Sequence, residues 1–187
     1  TKFKENRVAI TPLIAKDLIA KGFKVNVETD AGLKSFFSNE AYKEVGVNLV
    51  DKQEAYSSAD IVLKVNAPQA DEIALMKKGA VLISFMFAGT NPELVDACSK
   101  AGISAFSMDA VPRISRAQKM DALSSQANLA GYKSVLMCAN EIGKILPMMT
   151  TAAGTIKPSK VVIFGAGVAG LQAIATAKRL GAVVEVS

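Results

Sequence analysis

In TPLIAKDLIAKG the apolar positions recur at helical spacing, and the run is punctuated at both ends. Thr11 can cap the first turn, Pro12 suits the first helical position, and Gly22 suits the stop. FKVNVET then alternates apolar and polar residues, the period of a strand. The two periods keep exchanging along the chain. Residues 39–46 read as a helix, 47–50 as a short strand, DIVLKVN as a strand and QADEIALMKKG as a helix. AVLISFMF is a buried strand, NPELVDACSKAG a helix opened by Pro92, and ISAFSMD another strand. Strands separated by helical patterns predict a parallel sheet flanked by helices.

The rhythm breaks at AVPRISRAQKMD, which has little periodicity and reads as a loop. A long helix rich in Ala, Leu and Met is expected over residues 124–146, and PMMTTAAGTIKPSK reads as a second loop. KVVIF, AGLQAIATAKRLG and AVVEVS then predict strand, helix and strand. The fold class is α/β: two Rossmann-like, doubly wound parallel-sheet domains, the second incomplete. The expected domains are 1–123, a linking helix at 124–147, and 148–187 as the start of a nucleotide-binding domain. The chain opens on Thr1 and closes inside an α/β unit, so it is expected to be part of a longer protein.

Composition narrows the chemistry. Half of the 187 residues are hydrophobic, which allows a sizeable core, and the longest apolar run, GAVLISFMFAG, has 11 residues. A membrane-spanning helix needs about 20. The net charge is +5, with 22 basic and 17 acidic residues interleaved, so no nucleic-acid patch is expected. The two cysteines, Cys98 and Cys138, are far apart, and histidine is absent. That excludes a thiol–imidazole nucleophile and leaves no metal site to expect.

The chemistry concentrates in Gly165-Ala166-Gly167-Val168-Ala169-Gly170, set between a predicted strand and a predicted helix. In a dinucleotide-binding turn, Gly165 permits the tight turn and Gly167 lets the backbone approach a pyrophosphate. Gly170 allows close packing of helix on strand. The unpaired amides of Val168, Ala169 and Gly170 then face the phosphates at the positive end of the helix. An acidic residue normally holds the adenosine ribose about 20 residues on. Glu185 lies 20 residues after Gly165, but between valines, in mid-strand. Such ligands sit at the carboxyl edge of the sheet, about 10 Å further along. Glu185 therefore reads as a structural strand residue. The ribose ligand is expected one position past Ser187, as an acid, most simply Asp.

KENRVAITP, LKVNAP, SFMFAGTNPEL, PRISRAQKMDALSSQANLAGYK and TAAGTIKPSKVVIFGAGVAGLQAIATAKRLGA occur here in one order. Together they resemble the NAD(H)-binding component of proton-translocating nicotinamide nucleotide transhydrogenases, relatives of alanine dehydrogenase. In that family a strand precedes ENRVA and more of the NAD domain follows. The resemblance implies hydride transfer from NADH to NADP⁺, with NADP(H) on a partner domain and a proton path in a membrane domain. It implies that Arg113, Gln118, Asp121 and Ser124 contact the nicotinamide end of NAD(H), with Gln118 near the transferred hydride. It also implies a homodimer with the cofactor in an interdomain cleft. The component would be peripheral, on the cytoplasmic side of a bacterial inner membrane or in an organellar matrix.

Two other readings stay open. Arg7 and Lys64 match the substrate-carboxylate and substrate-carbonyl positions of alanine dehydrogenase, but Phe87 stands where that enzyme has its catalytic histidine. Imine or ketone reduction needs a proton donor as well as a hydride, and direct transfer between nicotinamides does not. Lys64 or Asp121 could still serve as an acid, although structural ion pairing is the simpler role for Arg7 and Lys64. The chain could also be a non-catalytic nucleotide-binding or dimerisation module.

Overall fold

The computed structural model describes residues 5–187, and the chain divides into two compact units, Thr1–Val111 and Pro112–Ser187. In unit 1 the elements run α1 (Pro12–Ala20), β1 (Asn26–Glu28), α2 (Asn39–Glu44), β2 (Asn48–Val50), α3 (Lys52–Ser57), β3 (Ile61–Leu63), α4 (Ala70–Leu75), β4 (Val81–Ser84), α5 (Pro92–Ala101) and β5 (Ser104–Ser107). The strand pairs among its described residues are parallel. β1 pairs with β2, Val27 opposite Leu49, and β4 lies between β3 and β5, Leu82 opposite Val62 and Ala105. Thr11 Oγ1 accepts from Ile14 N at 3.4 Å, and Gly22 ends the first helical segment with φ +93°. One apolar cluster joins Leu82, Val62 and Ile103 to Ile73 and Cys98, and another joins Val25, Val27 and Val47 to Ala15 and Tyr42. The two clusters correspond to two separate parallel sheets, β1–β2 and β3–β4–β5, each packed on one side by helix residues.

Unit 2 contains α6 (Ala122–Glu141), β6 (Met149–Thr151), β7 (Gly154–Ile156), β8 (Lys160–Ile163), α7 (Val168–Arg179) and β9 (Val183–Val186). β8 and β9 are parallel, and pairing continues past them: Ser187 N donates to Ile163 O at 3.1 Å and Gly165 N to Ser187 O at 2.8 Å. α6 packs along α7, with Val135, Ala173 and Ala177 buried at the seam and Val161, Ile163 and Val184 against them.

Three local differences from the sequence reading have clear causes. DKQEAYS, given no element above, is α3; Asp51 caps it, accepting from Glu54 N at 2.7 Å. PMMTTAAGTIKPSK is not a plain loop but holds the antiparallel hairpin β6–β7, tied across by the Thr150 and Thr155 hydroxyls at 3.1 Å. Its β-branched residues outweigh the breakers, and Gly154, at φ +137°, serves the turn. The long helix starts at Ala122 and ends at Glu141, several residues short of 146. The preceding loop contains a 3₁₀ turn, Ser115–Met120.

Gly131 sets how closely α6 and α7 approach. A Cβ at Gly131 would lie 2.1 Å from the carbonyl oxygen of Ala169. Alanine would gain about 1 kcal/mol in helix propensity. The backbone overlap, however, needs a shift of about 1 Å, and overpacking of this kind costs about 1–3 kcal/mol or more. The clash wins. Gly131→Ala is expected to lower the melting temperature of unit 2 by about 5 °C, as followed by calorimetry; an unchanged or raised midpoint would contradict this packing argument.

Candidate functional site

The site grows out of the turn between β8 and α7. Gly165 has φ +89°, a backbone state that favours glycine. At Gly170 an added Cβ would stand 2.0 Å from Gly165 O, so the helix can begin this close to the turn only without a side chain there. Gly167 differs. Its φ of −72° suits any residue, and an added Cβ would meet no protein atom within 4 Å. Nothing in the folded chain requires glycine at that point, whereas a group lying against the backbone there would. No side chain caps α7, so its first-turn amides are left for a ligand.

These residues line a cavity of about 340 Å³ within unit 2. Its walls bring together seven residues named from the sequence: Arg113, Ser124, Gly165, Gly167, Val168, Ala169 and Gly170. Leu123, Ala127 and Phe164 also line it and have no signal in the motif, being apolar positions on a helix face and at a strand end. Asp121 and Gln118 do not line it. Gln118 is exposed on the 3₁₀ turn between Arg113 and Asp121, and its carbonyl accepts from Asp121 N at 3.3 Å.

Asp121 caps α6. Its carboxylate accepts from Ser124 N at 2.9 Å and from Ser124 Oγ at 2.6 Å. The Ser124 hydroxyl, then the Ser124 amide, and further the Arg113 charge hold the Asp121 carboxyl below the usual carboxylate range. The Ser124 hydroxyl thus commits its only hydrogen to the bond it donates to Asp121. Toward the cavity its oxygen can act only as an acceptor, while the Arg113 guanidinium can act only as a donor.

Glu185 faces elsewhere. It pairs in register with Val162 and its carboxylate forms an ion pair with Lys160, at the far end of β8 from the glycine turn. In unit 1, Arg7 is bound to Glu5, with Nε and Nη2 donating at 2.8 and 2.7 Å. The Arg7 hydrogen bonds hold the Glu5 carboxyl down at about 2. Lys64 Nζ donates to both Glu72 oxygens, at 2.7 and 2.8 Å, and lies 3.3 Å from the Tyr56 hydroxyl. Phe87 is half exposed at φ +49°, its amide bonded to Asp109 Oδ1 at 3.0 Å. Among the described residues no cluster of potential metal ligands occurs, and no helix is long and apolar enough to cross a membrane.

Glu72 is only 8% exposed. Burial raises its pKa, but Lys64 and the amide of Gln69, which donates to Oε2 at 2.7 Å, outweigh burial and hold it below the ordinary value. A depressed carboxyl contributes its stability above the unfolded pKa of about 4.3 and loses it as pH falls through the lower folded value. Glu72→Gln leaves Lys64 uncompensated and weakens the α4 cap, at a cost on the order of 2 kcal/mol near neutrality. Urea unfolding is expected to show that loss at pH 7 and a smaller one as pH falls below the unfolded value toward pH 3. An equal loss at both pH values would exclude the ionic contribution.

Comparison with known proteins gives a consistent result. Residues 1–130 match the family described as Alanine dehydrogenase/PNT, N-terminal domain, and residues 134–187 its C-terminal domain. The chain is 50% identical over 186 residues to an NAD(P) transhydrogenase subunit alpha polypeptide of Rhodospirillum rubrum, covering 96% of this chain and 48% of that protein. It is 32% identical over 188 residues to alanine dehydrogenase of Bacillus subtilis, covering 99% of this chain and 49% of that protein. The solved transhydrogenase of Sinorhizobium meliloti superposes with a TM-score of 0.94 at 49% identity, over 97% of this chain and 52% of that one. The chain spans about half the length of these curated relatives.

Proposed function

The chain belongs to the alanine dehydrogenase/PNT family, and from that premise we propose that it is the NAD(H)-holding part of a proton-translocating NAD(P) transhydrogenase. The observation that carries the reading is the cavity that joins the glycine turn of α7 to Arg113 and Ser124. Bound NAD(H) supplies the hydride. The open space at Gly167 and the uncapped start of α7 fit a pyrophosphate lying on Val168, Ala169 and Gly170. Arg113 offers only donors and Ser124, through Asp121, only an acceptor. A primary carboxamide carries one carbonyl and one NH₂, the complement of that pair. Asp121 then serves as a positioning residue that fixes the Ser124 hydroxyl, and Gln118, outside the cavity wall, acts at the hydride-transfer step.

The alternative of amino-acid oxidoreduction finds its candidate proton donors among the described residues engaged, Asp121 being held ionised by the Ser124 hydroxyl and amide. Phe87 cannot exchange a proton, Lys64 is engaged by Glu72, and Arg7 by Glu5. Identity to the transhydrogenase relative exceeds that to the dehydrogenase relative, 50% against 32%. NADP(H) is assigned to a partner domain, and proton movement to a membrane domain. The component is peripheral to a bacterial inner membrane on its cytoplasmic side, or faces an organellar matrix. A homodimer is supported by the β6–β7 hairpin, all of whose residues are exposed and which carries exposed Met149 and Ile156. Two strands alone are marginal in water, and a second copy would cover them.

The test uses a protein of the relatives' full length that contains this segment. Gly167→Ala is expected to leave the melting temperature unchanged and weaken NADH binding at least about tenfold, as titrated calorimetrically, because its methyl occupies space that only the ligand needs. Full NADH affinity in that variant would remove the cavity from the reading. Gln118→Asn separates holding from transfer. In single-turnover assays with the NADP(H)-binding partner, hydride transfer is expected to slow on the order of 100-fold with NADH affinity little changed. An unchanged rate would take Gln118 out of the transfer step.

A further inference from the structure

The chain's charge is unevenly placed. Unit 2 carries nine Lys and Arg against three Asp and Glu, a net +6, while unit 1 carries thirteen against fourteen, a net −1. The three acids of unit 2 are all engaged: Asp121 by Ser124, Glu141 by Asn140, and Glu185 by Lys160. Several of its cations have structural roles. Lys160 pairs with Glu185, and Lys178 and Arg179 sit in the last turn of α7, where they complement the helix dipole. Arg116 and Lys119 are less committed, Lys119 standing only at the end of a short 3₁₀ turn. Both are exposed, and neither forms an ion pair among the described residues.

Their position is informative. Both lie on the 3₁₀ turn Ser115–Met120, and the cavity-lining residues Arg113 and Leu123 bracket that turn. Three residues of chain reach at most about 11 Å, so Arg116 cannot be further than that from Arg113 along the backbone. This is close to the Debye length of about 8–10 Å at ordinary ionic strength. A charge at that distance acts on a ligand approaching the cavity without touching it once bound.

We propose that Arg116 and Lys119 form an electrostatic collar that draws the anionic pyrophosphate of the dinucleotide to the cavity and sets its association rate. The proposal rests on the NAD(H) reading and extends it to two residues outside the cavity wall. In this proposal they add to the positive charge that Arg113 and the start of α7 bring to the cavity, and the nearest acid in sequence, Asp121, has its carboxylate engaged by Ser124. Fields of this kind change association rates rather than bound-state contacts, and they fade with salt.

Stopped-flow NADH binding to the full-length protein tests this. Replacing both residues (Arg116→Gln with Lys119→Gln) is expected to lower the association rate several-fold at low salt, about tenfold at most. The dissociation rate should be unchanged, and the deficit should vanish as salt rises to about 0.5 M. Arg116→Lys with Lys119→Arg keeps the charge and should keep the rate. Lys178→Gln with Arg179→Gln, the same charge change at the far end of α7, should have little effect. An unaltered association rate, a change confined to dissociation, or an equal effect of the Lys178 and Arg179 pair would each overturn the collar. Absence of NADH binding by the parent protein would overturn the NAD(H) reading itself, and the collar with it.

Discussion

Close approach of backbone to backbone is the constraint on which unit 2 depends. Gly131 lets α6 meet the first turn of α7 at Ala169, and Gly170 lets that same turn meet Gly165. A methyl at either glycine would overlap a carbonyl oxygen, at 2.1 and 2.0 Å. The start of α7 is thereby held between a helix and a strand end, and its amides are fixed in direction. An anion-binding helix terminus is useful only if it does not reorganise when the ligand arrives. Two glycines that exclude side chains supply that rigidity, and a third, Gly167, leaves the space.

The polar wall is arranged by the same economy. Asp121 both caps α6 and accepts the Ser124 hydroxyl's hydrogen bond, so one carboxylate sets a helix start and the direction of a hydroxyl. Capping is worth about 1 kcal/mol, which makes the orientation of Ser124 a by-product of local stability rather than a separate cost. Arg113 stands on the other side of the 3₁₀ turn, and its charge helps keep Asp121 ionised. The acceptor at Ser124 therefore persists through the neutral range.

Much of this was legible in the sequence, for identifiable reasons. The helices α1, α5 and α7 carry their punctuation in the chain: Thr11 and Pro12, Pro92, and the glycine turn. Of the parallel strands, β3 and β4 are short apolar runs, with Val62 and Leu82 buried. α3 was hidden because DKQEAYS has no clear apolar face; its helix rests on the Asp51 cap and the burial of Tyr56. The hairpin was hidden because Gly154 and Pro158 read as loop, although the β-branched residues around them favour strands. The glycine motif announced the cavity. Leu123, Ala127 and Phe164 could not be read, since an apolar residue facing a cavity looks like one facing a core. Gly131 did leave a signal, a lone glycine inside a helix, where its cost of about 1 kcal/mol calls for a packing reason.

The loop around Phe87 shows how one scaffold can serve two chemistries. Asp109 Oδ1 accepts from the amides of Met86 and Phe87, at 2.9 and 3.0 Å, and Asn91 Nδ2 donates to both of their carbonyls at 3.1 Å. This network holds Phe87 in the left-handed region, at a strain of roughly 1–3 kcal/mol, with its ring half exposed. Such construction is what a catalytic side chain requires, and by resemblance a histidine occupies this place in alanine dehydrogenases. Here the same frame presents a ring that has no proton to give. Under the transhydrogenase reading that is no defect. Hydride passes between two nicotinamides without an accompanying proton, so a titratable group at this place would add a side reaction rather than a step. In this chain the backbone device therefore presents a side chain that has no proton to exchange.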